Sequence, residues 1–180
     1  MIKSIIQTIG TQIVSNDDGS VLGLVKSVIF NPDTGKIEAL WVKTLNPELK
    51  NPVLLSDSIL DWKKNIYIND DREFAEADDI IRISEIFDRD AFYIGNSVVD
   101  ESHNKLGSVS DISFDTEKMY LQSVYAEKSI LGIFRYGLRI FSYDSIIQAL
   151  PDGIIVKNTD DIKVSVKEGI ADKNQPVMDV

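Results

Sequence analysis

The sequence predicts a mainly β protein: two small β-barrels in tandem, related by internal duplication, with a short helix linking them. Three observations carry that expectation. One pattern of glycines and apolar residues occurs twice, with Gly10 recurring as Gly95, Gly23 as Gly107 and Phe30 as Phe114 at separations of 85, 84 and 84 residues. Short runs that alternate apolar and polar residues are punctuated by Gly, Asn, Asp and Pro, the pattern of all-β domains. Isoleucines at helical spacing interrupt the strand pattern once, between the two copies. A repeat of this kind fixes the architecture before any single residue is interpreted. Each copy spans roughly 80 to 90 residues, about the size at which a small barrel buries its own core.

In the first copy, Gln12 to Ser15 reads as a short strand, and Asn16 to Ser20 as a turn of residues that tolerate left-handed or side-chain-bonded backbone. Gly23 to Phe30 alternates broadly and predicts a second strand. Asn31-Pro32-Asp33-Thr34-Gly35 is a hairpin loop, with Pro setting φ early and Gly supplying a positive φ at the end. Ile37, Ala39 and Trp41 then alternate with Glu38, Leu40 and Val42 in the returning strand.

The later part of the copy recurs as well. Ser56 to Leu60 matches Tyr143 to Ile147, Asn65 to Ile68 matches Gly153 to Val156, and Asp78-Asp79-Ile80 is matched with Asp160-Asp161-Ile162. Ile80, Ile81, Ile83, Ile86 and Phe87 predict an amphipathic helix bridging the barrels. The expected boundaries are a first barrel over 1–77, a linker helix over 78–92, a second barrel over 93–165 and a flexible tail over 166–180. Closing each short meander into a barrel would remove edges that otherwise invite aggregation.

Composition narrows the function. Hydrophobic residues at 43% and charged residues at 27% place the chain among folded globular proteins. With no cysteine there is no disulfide framework and no thiolate metal site. The first ten residues lack the apolar stretch of a signal peptide, and no apolar run approaches the ~18 to 20 residues of a membrane span. A cytoplasmic protein without a membrane span is expected. The formal net charge of −10 divides into −6 over residues 1–90 and −4 over 91–180. Nucleic-acid affinity rests largely on Lys and Arg neutralising phosphates, so direct binding to nucleic acid is not expected.

Gly10, Val14, Gly19, Gly23, Val25, Val28, Phe30, Asn31, Pro32, Thr34 and Gly35 together resemble the PRC-barrel family. The second copy keeps Gly95, Gly107, Val109, Ile112, Phe114 and Asp115, but has Lys118 and Met119 where the family has a Gly-containing turn. Its hairpin is expected to be looser. Ser142 and Tyr143 stand where the family has a Pro-Trp-like pair. The resemblance implies two PRC-type, SH3-like barrels used as a docking scaffold, with no catalytic residue, cofactor or metal. It also implies an alternative role, since a ribosome maturation factor carries such a domain: an accessory factor in ribosome or RNA maturation that docks to a protein.

The remaining polar features have plain explanations. His103 falls in the turn Glu101-Ser102-His103-Asn104-Lys105, whose tip beside Lys105 supplies no evident nucleophile, so it is read as an exposed turn residue rather than a catalytic base. The acidic turns at Asn16 to Gly19 and Asn31 to Gly35 lack the carboxylate spacing and terminal Glu of a calcium loop. Gly19 to Gly23 lacks the Lys-Ser/Thr ending of a phosphate loop.

One stretch stands apart. Between Glu127 and Asp144 there is no acidic residue, and Lys128, Arg135 and Arg139 accompany Ile130, Leu131, Ile133, Phe134 and Tyr136. The matching loop of the first copy, Thr44 to Pro52, is polar and carries two prolines. Ile130, Leu131, Ile133, Phe134, Arg135 and Tyr136 form the candidate partner surface, a mixture enriched at interface centres. Two readings stay open: these residues pack between the barrels, or they face a protein partner. A homodimer is also left open.

Overall fold

Left-handed turns, where the chain reverses, set the strand order. In the computed structural model, which describes all residues except 47, 90, 91, 93, 131–133, 159–161 and 164–180, Gly10 (φ 83°), Gly19 (73°), Gly35 (70°) and Gly95 (103°) all adopt positive φ. The strands they connect alternate as the sequence predicts. After β1 (Ile2–Ser4) and a one-turn helix α1 (Ile5–Thr8), the first unit contains β2 (Gln12–Ser15), β3 (Val21–Phe30), β4 (Ile37–Thr44) and β5 (Pro52–Leu55). It ends with β6 (Asp61–Trp62), β7 (Ile66–Ile68) and β8 (Phe74–Glu76). Helix α2 (Ile81–Arg89) precedes the second unit, which comprises β9 (Ser97–Asp100), β10 (Lys105–Asp115), β11 (Tyr120–Ile130), β12 (Phe134–Ser142), β13 (Ile146–Leu150), β14 (Gly153–Val156) and β15 (Ile162–Lys163).

The two sheets have the same order. One runs β6-β7-β2-β3-β4-β5-β8 and the other β13-β14-β9-β10-β11-β12-β15. In both, the pairing of the first long strand's partner with the penultimate short strand is parallel (β2 with β7, β9 with β14), and the other pairings along each order are antiparallel. Bulges also match: β3 against β4 shifts between Val25 and Ser27 and between Ile29 and Phe30, and β10 against β11 shifts between Val109 and Asp111 and between Ser113 and Phe114. Gly10 N–H donates to Val25 O at 2.8 Å, and Gly95 N–H donates to Val109 O at 2.8 Å.

Four details differ from the sequence expectation. The described pairings form open paths rather than closed barrels, because the terminal strands of the first sheet, β6 and β8, hold only two and three residues and pair inward alone. Residues 2–4, expected in the first unit, pair with β10 of the second, in register Ile2 with Asp115 and Ser4 with Ser113. The match of Ile162 with Ile80 is out of register: β15 pairs with β12 where β8 pairs with β5, so Lys163 takes the place of Glu76. Finally, the second hairpin is not looser. Asp115 Oδ1 accepts from Glu117 and Lys118 N–H as Asn31 Oδ1 accepts from Asp33 and Thr34 N–H, and Met119 adopts a left-handed φ of 56° where Gly35 adopts 70° in the first.

The core is continuous. Ile13, Val25, Phe30, Leu40, Leu54 and Ile66 of the first unit belong to one apolar cluster with Val98, Val109, Phe114, Val124 and Ile154 of the second. Among the described residues, helix α2 packs on the first sheet. Its Ile83 and Ile86, three residues apart on one face, pack on Ile29, Ala39 and Val53 of the first sheet, while Ile81 points away and is 77% exposed. The matching positions on the second sheet are Ser113, Ser123 and Ile140, a more polar set. The expected tail over 166–180 lies outside the described residues.

Candidate interaction surface

The two copies diverge most between their third and fourth long strands. In the first unit the ladder of β4 with β5 ends at Trp41 and Val53. Beyond it, Thr44 Oγ1 accepts from Asn46 N–H, Asn46 Oδ1 accepts from Glu48 N–H, and the Glu76 carboxylate takes the N–H groups of Lys50 and Asn51. Glu76 thereby ties a polar loop to β8. The second unit has Lys163 in the Glu76 position, and there the two strands run on instead.

From Tyr125 paired with Ile140, β11 and β12 continue through Ala126–Arg139, Lys128–Tyr136, Ser129–Arg135 and Ile130–Phe134. A bulge lies between Ala126 and Lys128, and Gly137 opposite it has φ 65°, which only glycine adopts without strain. The result is a two-stranded arm with the basic residues of the sequence expectation on it. Tyr136 is 51% exposed, which places at least this member of the candidate surface in solvent. Ile130, Phe134 and Arg135 contribute backbone to the arm, and their side chains lie outside what the structure describes. Leu131 and Ile133 lie outside the described residues altogether.

A second cluster was not visible from sequence. A cleft of about 340 Å³ separates the first hairpin turn from α2 and is lined by Asn31, Pro32, Asp33, Arg82, Glu85, Ile86 and Arg89. The Arg89 guanidinium donates to both oxygens of Asp33 at 2.6 and 2.7 Å and holds that carboxyl below its ordinary range. Behind them Glu38, the extra residue at the β4 bulge, is only 5% exposed. Its carboxylate lies 3.4 Å from Arg82 Nε and 3.9 Å from Lys36 Nζ, and it accepts from Asn31 Nδ2 at 3.4 Å. Alternation along β4 concealed this burial, because only the arrival of α2 covers Glu38. Its counterpart Gln122 is exposed.

Tyr143, from the segment where the family pattern differs, closes the same turn from the other side. Its hydroxyl donates to Asp33 O at 3.2 Å, and burial, reinforced by the Asp33 charge, pushes its phenol upward. A Cβ on Gly35 would approach the Tyr143 ring to 2.7 Å, so that glycine is required by packing as well as by its φ.

The polar turns do the work expected of turns. His103 sits exposed at φ 61° in a loop whose Asp100 accepts from Asn104 and Ser102. Asp18 accepts from the N–H and hydroxyl of Ser20. Among the described residues no group of three or more His, Cys, Asp or Glu is placed to hold a metal ion, and no helix is long and apolar enough to cross a membrane.

Two open, mainly antiparallel β-sheets with the same strand order define the general class. Within that class the chain carries a PRC-barrel domain: the model of that family matches residues 7–86, from α1 through most of α2. No curated protein matches the chain.

Proposed function

We propose that this chain is a non-enzymatic interaction or scaffold module that acts in the cytoplasm by docking a protein partner on the β11–β12 arm. One observation carries the reading. Two units with the same strand order differ most at this place, where a clamped polar loop in one is an extended arm with an exposed Tyr136 in the other. A tyrosine half in solvent beside Lys128 and Arg135 offers the aromatic and basic mixture that anchors interfaces. The overall charge of −10 disfavours a nucleic-acid ligand.

The test is Tyr136→Ser in the full chain. Pull-down from the native host followed by mass spectrometry should yield a specific partner whose recovery falls with the variant, while the melting temperature stays within about a degree because little packing is lost. A variant that keeps every partner removes the arm as the docking site. Salt-sensitive binding of the wild type to RNA in a fluorescence-anisotropy titration would replace the protein partner with a nucleic acid.

A further inference from the structure

An offset of 84 residues relates Phe30 to Phe114, Gly35 to Met119, Lys36 to Tyr120 and Ile37 to Leu121. In the folded chain these counterparts meet each other. Ile37 N–H donates to Met119 O at 2.8 Å, and Leu121 N–H donates to Gly35 O at 2.9 Å. Lys36 forms an antiparallel bridge with its own counterpart, Tyr120. The rings of Phe30 and Phe114 meet edge to face with centroids 5.8 Å apart. A segment that pairs antiparallel with its own equivalent lies on a two-fold axis, and a surface that contacts its own copy in this way is the isologous surface of a symmetric dimer.

The leading segments cross in the same reciprocal manner. The chain ahead of the first unit, β1, adds to β10 of the second, and its terminal amine lies 3.1 Å from Asp115 and 3.2 Å from Glu117. The chain ahead of the second unit, α2, packs on the first, and its Arg89 binds Asp33, the counterpart of Glu117. Each unit is therefore completed by the segment that introduces the other.

We propose that this face joins a second copy of the chain, the first unit of each copy pairing with the second unit of the other to give a closed reciprocal dimer. Every contact named above is kept in that dimer, because it exchanges equivalent partners. Linkage within one chain gives an effective concentration on the order of millimolar. The monomer therefore persists in dilute solution, and the dimer forms when chains refold together at high concentration.

The absence of cysteine makes the test unambiguous. Lys36 and Tyr120 sit between the two hydrogen bonds, the arrangement with Cα atoms about 4.5 Å apart, within the range a disulfide spans. Lys36→Cys and Tyr120→Cys are made on separate chains, unfolded together, refolded at high concentration and oxidised. A covalent heterodimer with native far-UV circular dichroism, several-fold above the dimer from either variant alone, is expected. The double variant on one chain, refolded dilute, should close an intramolecular disulfide without dimer. If the double variant closes and the mixture gives no excess heterodimer, exchange between chains is overturned; if the double variant does not close either, the two-fold contact itself is overturned.

Discussion

His103 and Met119 occupy the places of Gly19 and Gly35, and they keep the left-handed backbone that glycine made inexpensive. Left-handed φ costs a non-glycine residue of order 1 kcal/mol. His103 is exposed, with φ 61°, so His103→Gly should raise stability by roughly 0.5 to 1 kcal/mol in a urea titration, the relief of strain being partly offset by the flexibility of glycine when unfolded. Gly35→Ala should do the reverse and more, losing roughly 2 to 3 kcal/mol, because the new Cβ meets both the backbone strain and the Tyr143 ring.

Asp33 carries a second expectation at this scale. Its folded pKa lies below the unfolded value of 3.8 because Arg89 favours the carboxylate. Such a group stabilises the fold fully above the unfolded pKa, and the contribution is lost as pH falls through the folded one. The pair should therefore matter at neutral pH and fade below about pH 4. Arg89→Met should lower the melting temperature at pH 7, by an amount that shrinks progressively as the pH falls below about 4; a loss that stays the same at acid pH would assign Arg89 a packing role only. The paired glycines were legible at this scale, since Gly23 and Gly107 each bring a neighbouring carbonyl to 2.8 Å of a would-be Cβ. Tyr143 on Gly35 was not, because its contact spans 108 residues and no local pattern encodes it.

At the scale of elements, strand order and hairpins were readable because alternation and turn chemistry are local. Helix α2 was readable as a helix, yet its docking was not: periodicity gives an apolar face but not the surface it covers. Ile83 is fully buried and Ile81 is 77% exposed. Ile83→Ala should accordingly destabilise by roughly 2 to 5 kcal/mol and Ile81→Ala by less than about 0.5 kcal/mol, as read from denaturation midpoints. Equal effects would mean that α2 does not lie on Ile29, Ala39 and Val53. The arm was legible as a divergent basic stretch, but its form as strands followed from the register of β11 with β12. The misplaced match of Asp160-Asp161-Ile162 has the same lesson, since similar composition did not determine the pairing of β15 with β12.

At the scale of the whole molecule, one apolar cluster runs through both units. Separate domains would melt separately, whereas a shared core couples the two sheets into one transition. Thermal unfolding followed by tryptophan fluorescence, which reports the first unit through Trp41 and Trp62, should coincide with unfolding followed by far-UV circular dichroism, which reports both. Two separated midpoints would show that the cluster is divided in solution. The sequence repeat led to two barrels in tandem without their arrangement, because similarity within a chain reveals how many copies exist and is silent on how their faces meet.

The pairing of β1 with β10 changes what a shortened chain would measure. Deleting residues 1–4 looks, by position, like trimming the first unit. It would instead uncover the backbone of Ser113, Phe114 and Asp115, and remove the amine that neutralises Asp115 and Glu117. Hydrogen exchange after such a trim should quicken near residue 114, more than a hundred positions from the cut, so boundaries drawn along the chain and boundaries drawn through the fold divide this protein in different places.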